Sequence, residues 1–123
     1  MYCEKPRCSI RKDDAIRLRH MRDAAQEAIA FTSSRTRADL DGDRMLVLAL
    51  VKEVEIIGEA AFRISPVTRD DLPEIPWDDV IGMRHRLVHA YWDINLNILW
   101  RTVQDDVPRL LLVLEQRILP DTL

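Results

Sequence analysis

The sequence predicts an all-α fold, an antiparallel bundle of four or five helices, on three observations. Apolar residues recur every three to four positions over long stretches, the period of a helix with one buried face. No stretch alternates apolar and polar residues convincingly, as a half-buried strand would. Only three Gly and six Pro occur in 123 residues, too little turn chemistry for a many-stranded sandwich or barrel. The length suits one domain over residues 1–123, with 1–11 expected as a flexible tail because Pro6 interrupts it and it has no periodicity.

A first helix is expected from about Asp13, with Asp13 or Asp14 as its start signal and Leu18, Met21, Ala25, Ala28 and Ile29 on its inner face. It should end between Phe31 and Ser34. A second runs from Thr36–Asp39 to Ile64, and its apolar stretch Met45–Val51 reads as a helix buried on several sides, stopped by Pro66. Residues 65–76 read as a loop punctuated by Pro66, Pro73 and Pro76. Pro76-Trp77-Asp78-Asp79 opens a third helix, with acids in the first turn where the helix dipole favours them and Trp77 stapling it. That helix carries Ile81, Met83, Arg84, Leu87, Val88 and His89 and should loosen around Tyr91–Asn95. A fourth runs from Leu96 to Leu119 with Ile98, Leu99, Val103, Val107, Leu110, Leu111 and Leu114 inward, kinked or divided by Pro108.

Composition narrows the function classes. The net charge of −3 argues against coating nucleic acid by bulk charge, and no apolar run is long enough to span a bilayer. The first dozen residues lack a signal-peptide core, so the cytoplasm is the expected location. Cys3 and Cys8 are too few to frame a disulfide scaffold or a zinc site and read as free thiols. Charge is uneven: residues 45–83 hold three basic against eight acidic side chains, whereas residues 1–44 hold ten against eight. Arg supplies 15 of the 18 basic residues; most belong to solvated helix faces.

Reactive side chains are densest in Met83-Arg84-His85-Arg86-Leu87-Val88-His89-Ala90-Tyr91-Trp92-Asp93. Three readings compete for it. His85, His89 and Asp93 would share one face of an unbroken helix, a metal-ligand spacing, but Arg84 and Arg86 beside them would repel a cation. Alternatively the cluster is structural, with His89 satisfied in the core and Arg84 paired to an acid of the middle segment. The third reading is phosphate chemistry. Arg84 and His89 lie about 140° apart on an ideal helix, but a long Arg reaches the His if the helix loosens after it. An imidazole then moves a proton between the 2′-hydroxyl, or the leaving 5′-oxygen, and solvent. A guanidinium steadies the charge growing on the phosphoryl oxygens. Flanking Arg charges would hold the His89 pKa down, and the Tyr91 phenol could orient the phosphate or accept a group.

Arg84-x4-His89-x-Tyr91 resembles the R-x4-H-x-Y signature of HEPN-domain proteins, specifically the HepT-like toxins. Val54–Ala61, Leu72–Trp77, Ile81–Arg84 and Asp106–Pro108 resemble the family's recurring segments in the same order, so the resemblance covers roughly residues 13–118. One departure is His85, where Asn is often found. The resemblance implies an all-helical homodimer whose two Arg–His motifs converge in one cleft that cuts RNA without metal or cofactor. It also implies the toxin half of a type VII toxin–antitoxin pair. Its partner would be a minimal nucleotidyltransferase (MNT) antitoxin that transfers AMP to the motif tyrosine, here Tyr91. That AMP would set a bulky anion beside Arg84 and His89 and fill the cleft. The implied assignment is therefore Arg84 and His89 as catalytic residues and Tyr91 as cleft residue and AMP acceptor. Glu59, His85 and Arg86 are supporting candidates, with Glu59 read either as the partner of a motif Arg or as facing a solvent groove. Trp77, Trp92 and Trp100 read as core or dimer residues, and His20 as without a role. No DNA or membrane partner is expected. The rival class is a non-catalytic dimeric helical module that holds a nucleotidyltransferase or a nucleotide, which the acidic balance favours slightly.

Overall fold

The fold was read from a computed structural model that describes residues 11–90 and 93–118, His89 and Ala90 by their backbone only. The expected tail over residues 1–10, with Cys3 and Cys8, lies outside the described residues, as do Tyr91 and Trp92. The elements in order are α1 (Lys12–Thr32), α2 (Asp39–Gly42), α3 (Arg44–Arg63), α4 (Pro66–Asp71), α5 (Trp77–Ile81) and α6 (Met83–Leu87). There follow β1 (Val88–Ala90), β2 (Asp93–Ile94), α7 (Leu96–Arg101), a π-helical turn (Thr102–Asp106) and α8 (Val107–Arg117). The all-α bundle is what the residue periodicity predicts, with one short hairpin added.

Two long helices form the frame. On α1, Leu18, Met21, Ala24, Ala25 and Ala28 are buried; small residues on this face let α3 approach closely. They run antiparallel, because Asp14 at the start of α1 meets the turn just past the end of α3. There it accepts hydrogen bonds from Ser65 N–H (3.1 Å), Ser65 Oγ–H (2.6 Å) and Thr68 Oγ1–H (2.6 Å). Asp14 is therefore an inward tether rather than a helix cap; the first turn closes with Ala15 N–H to the Arg11 carbonyl at 2.9 Å. The C-terminal helices lie antiparallel to α1 in turn: Thr32 meets Gln104, and Gln26 meets Glu115.

Several sequence expectations are corrected. The second helix is divided at Asp43, whose side chain accepts from Leu46 N–H (3.0 Å) and caps α3 afresh. Met45–Val51 is not buried on several sides, because Met45 is 82% and Leu48 48% exposed. The 65–76 loop contains α4: Pro66 stops α3 and also opens α4, with Ser65 accepting from Thr68 N–H. Trp77 does not staple its own helix; its indole N–H donates to the carbonyls of Leu72 (3.1 Å) and Arg69 (3.2 Å), tying α5 back to α4. As expected, the last helix is irregular at Pro108: α7 and α8 are separated by the π-helical turn that ends just before it. A proline cannot donate to residue i−4 and its ring crowds that carbonyl. The preceding turn widens to π geometry, with Val107 N–H reaching the Thr102 carbonyl, and the chain runs on.

The largest correction concerns the third helix. It is interrupted at Gly82 and ends at Leu87, four residues before its expected loosening, and the chain turns extended at Val88. Val88 pairs with Ile94 and Ala90 with Asp93 in an antiparallel ribbon with a bulge, and Asn95 N–H closes it on the Leu87 carbonyl at 2.7 Å. At Gly58, α3 packs against the end of α5 at ordinary van der Waals distance. A Cβ there would stand 3.4 Å from the Ile81 carbonyl oxygen and 3.5 Å from that of Val80.

Candidate active site

Arg84 and His89 occupy two different elements. Arg84 projects from the last turn of α6, a five-residue helix, whereas His89 lies on β1. The His89 ring and all of Tyr91 lie outside the described residues, so the placement of those two candidates relative to Arg84 is not part of the described geometry. The backbone nevertheless removes the premise of the metal reading, since His85, His89 and Asp93 do not share one continuous helix face. Among the described residues, no group of three or more His, Cys, Asp or Glu is arranged to hold a metal ion.

The Arg84 side chain is 45% exposed and turns toward α3, where its Nε lies 3.2 Å from Oε2 of Glu55. The other carboxylate oxygen of Glu55 accepts from Lys52 Nζ at 3.3 Å. Two cations thus share one anion, and the cluster keeps a net positive charge. The structural reading expected Arg84 to pair with an acid of the middle segment, and the acid is Glu55, which the sequence did not single out. The candidate chosen there, Glu59, sits one turn further along α3, is exposed, and pairs with Arg63 at 2.9 Å. Among the described residues it has no ion pair or hydrogen bond with Arg84; of the two readings left open for Glu59, it takes the one that faces a solvent groove. A sequence signal existed in the spacing Glu55-x3-Glu59 on one helix face, but spacing alone cannot choose between the two.

The flanking residues diverge. Arg86 Nη2 donates to the Asp79 carbonyl at 3.2 Å, and the side chain borders a groove of about 540 Å³ that also touches Pro73, Met83, Arg109 and Leu110. His85 is exposed. A second groove, of about 580 Å³, runs between α1 and α3 and is lined by Ile16, Arg17, His20, Lys52, Glu55 and Glu59. His20, which the sequence left without a role, therefore borders the same groove as the partner of Arg84. Trp100 packs partly buried against the core, in line with its expected place there.

Among the described residues no helix is long and apolar enough to cross a membrane. What fold and site define is an α-helical bundle carrying a half-exposed, lightly held guanidinium at the edge of a solvent groove. The chain belongs to the HepT-like ribonuclease family, whose model matches residues 21–117 and so takes in Glu55 and the whole of Arg84–Tyr91. It is similar to a protein of Thermococcus cleftensis named "Probable ribonuclease HepT", 38% identical over 88 residues, covering 68% of this chain and 80% of that one. It is also similar to a "Putative RNase" of Methanocaldococcus jannaschii, 33% identical over 88 residues, covering 72% of this chain and 81% of the relative. No solved structure matches the chain.

Proposed function

We propose that this chain is a metal-independent RNA endonuclease and the toxin of a type VII HEPN/MNT toxin–antitoxin pair, acting as a homodimer. Arg84 steadies the charge that grows on the phosphoryl oxygens as the 2′-hydroxyl attacks. His89 takes and returns the proton. Two copies facing each other supply two such pairs to one cleft, where a single chain offers one. Tyr91 is the AMP acceptor, and AMP on its phenol oxygen, with pyrophosphate leaving from ATP, fills the cleft with an anion that satisfies Arg84. The observation that carries this reading is the family match across Arg84–Tyr91. The accessible state of Arg84 supports it, because a guanidinium sealed in the core could not meet a phosphodiester.

Cleavage of RNA by the full chain, with and without chelator, tests the activity. Arg84→Ala and His89→Ala should each lower it by about 100-fold or more, and unchanged cleavage in both sinks the assignment. For Tyr91, intact mass after incubation with the cognate nucleotidyltransferase and ATP should rise by whole AMP units, and Tyr91→Phe should remove the gain. The non-catalytic binding module keeps one observation in its favour: α3 exposes Met45 and Leu48 near its start, at 82% and 48%. That reading takes over if a dimer or partner complex forms normally but no RNA is cut.

A further inference from the structure

We propose that Glu55 is a positioning residue for Arg84: its carboxylate draws the guanidinium toward α3 as an ion pair on the Nε side and leaves the N–H donors to the phosphate. This rests on the reading that Arg84 stabilises the phosphoryl charge. An arginine has five N–H donors in a fixed planar fork. Oε2 of Glu55 stands 3.2 Å from Arg84 Nε as an ion pair, and among the described residues no Arg84 donor is used in a hydrogen bond. A free arginine side chain would have to lose much of its torsional freedom as the transition state forms; one already oriented loses less.

Three features make Glu55 a holder rather than a lock. First, its backbone is fixed, since the neighbouring Val54 and Ile57 are fully buried on α3. Second, Lys52 draws on the other carboxylate oxygen, so the anion does not cancel the charge of Arg84. Third, both partners are wet, with side-chain exposures of 45% and 41%. An ion pair of that exposure shifts an equilibrium by no more than about fivefold, too little to keep out a phosphate.

The test compares wild type, Glu55→Ala, Glu55→Asp, Arg84→Ala and the Glu55→Ala/Arg84→Ala double variant in RNA cleavage, with melting temperatures alongside. Glu55→Ala should lower kcat by about three- to fivefold with KM within about twofold and melting unchanged, the pattern of a group that acts in the transition state. Glu55→Asp should recover part of the loss. In the Arg84→Ala background, adding Glu55→Ala should cost nothing more. A second readout is independent of turnover: the Arg84 Nε–H resonance should be dispersed in wild type and collapse to the free-arginine position in Glu55→Ala. Wild-type kcat in Glu55→Ala, a rise in kcat, or a full loss that persists on Arg84→Ala overturns the proposal. If Arg84→Ala itself cleaves normally, the functional reading fails first; if Arg84→Ala is inactive and Glu55→Ala is normal, only this inference falls.

Discussion

Asp14 and Glu55 are both carboxylates on the two long helices of the frame, and they serve opposite ends. Asp14 sits at the sealed end of the α1–α3 pair, 2% exposed, with its oxygens on Ser65 and on Thr68, itself fully buried. Glu55 sits on the open flank, 41% exposed, shared between Lys52 and Arg84. Burial raises the cost of breaking each hydrogen bond, so the first arrangement is fixed and contributes to stability. Water screens the second, so it contributes little to stability and can rearrange when another anion arrives. The same functional group becomes structure or site according to how much solvent reaches it.

Arg84→Ala breaks the comparison most severely on the open side. Cleavage should fall by about 100- to 1,000-fold, as for loss of one donor to a developing oxyanion, while the melting temperature stays put. Thermal unfolding and a cleavage time course decide it, and a large drop in melting temperature would mean that Arg84 is structural. On the sealed side, Asp14→Ala strands three donors and should cost about 2–3 kcal/mol, lowering the melting temperature by roughly 10 °C. Burial alone would raise the Asp14 pKa, but hydrogen bonds from Ser65 and Thr68 outweigh it and hold the group below its ordinary value. Its contribution is therefore present at neutral pH and lost as pH falls through that lowered value.

A third carboxylate lies between the two extremes. Glu53 is 5% exposed on α3, and its Oε1 is buried without a hydrogen-bond partner among the described residues. Burial first, and then the adjacent Glu27 carboxyl, push its pKa up from 4.5 to about 7. The stability it contributes is complete below pH 4.5 and drains away as pH rises through about 7. Denaturant unfolding between pH 5 and 8 should show a decline on the order of 2 kcal/mol, and Glu53→Gln should flatten it and leave the protein more stable at pH 8. The smallest effect is expected at Asn95, whose side chain accepts from Ile98 N–H at 3.0 Å and caps α7 just after the hairpin. Asn95→Ala should cost about 1 kcal/mol. Its amide-exchange signature should be faster opening over 87–99 and no change in α1 or α3.

The motif segment was harder to read than the frame for a physical reason. Long helices announce themselves by repetition: Leu18, Met21, Ala25 and Ala28 on α1 and Leu99, Val103, Val107, Leu110 and Leu114 on the last helices are all buried as their spacing requires. The stretch 82–95 holds two strands and a five-residue helix, each too short to show a period. Val88, Tyr91, Trp92 and Ile94 are residue types that favour strands, and that was the available signal, but it competes with an apparently helical run from Asp78. Likewise the residue types of the site, with Arg84 its anchor, stand out in the sequence, whereas the identity of its acidic partner does not.

By itself, then, the sequence determined the helical class, the inner faces of the long helices and the Arg84–Tyr91 signature, because each is a pattern along the chain. Only the tertiary structure decided that Glu55 rather than Glu59 meets Arg84, that Arg86 turns away from it, and that Asp14 binds the 65–68 turn. Those choices depend on where helices of fixed pitch come to rest against each other. Arg84 comes to rest against the turn of α3 that carries Glu55, and no local spacing encodes that placement.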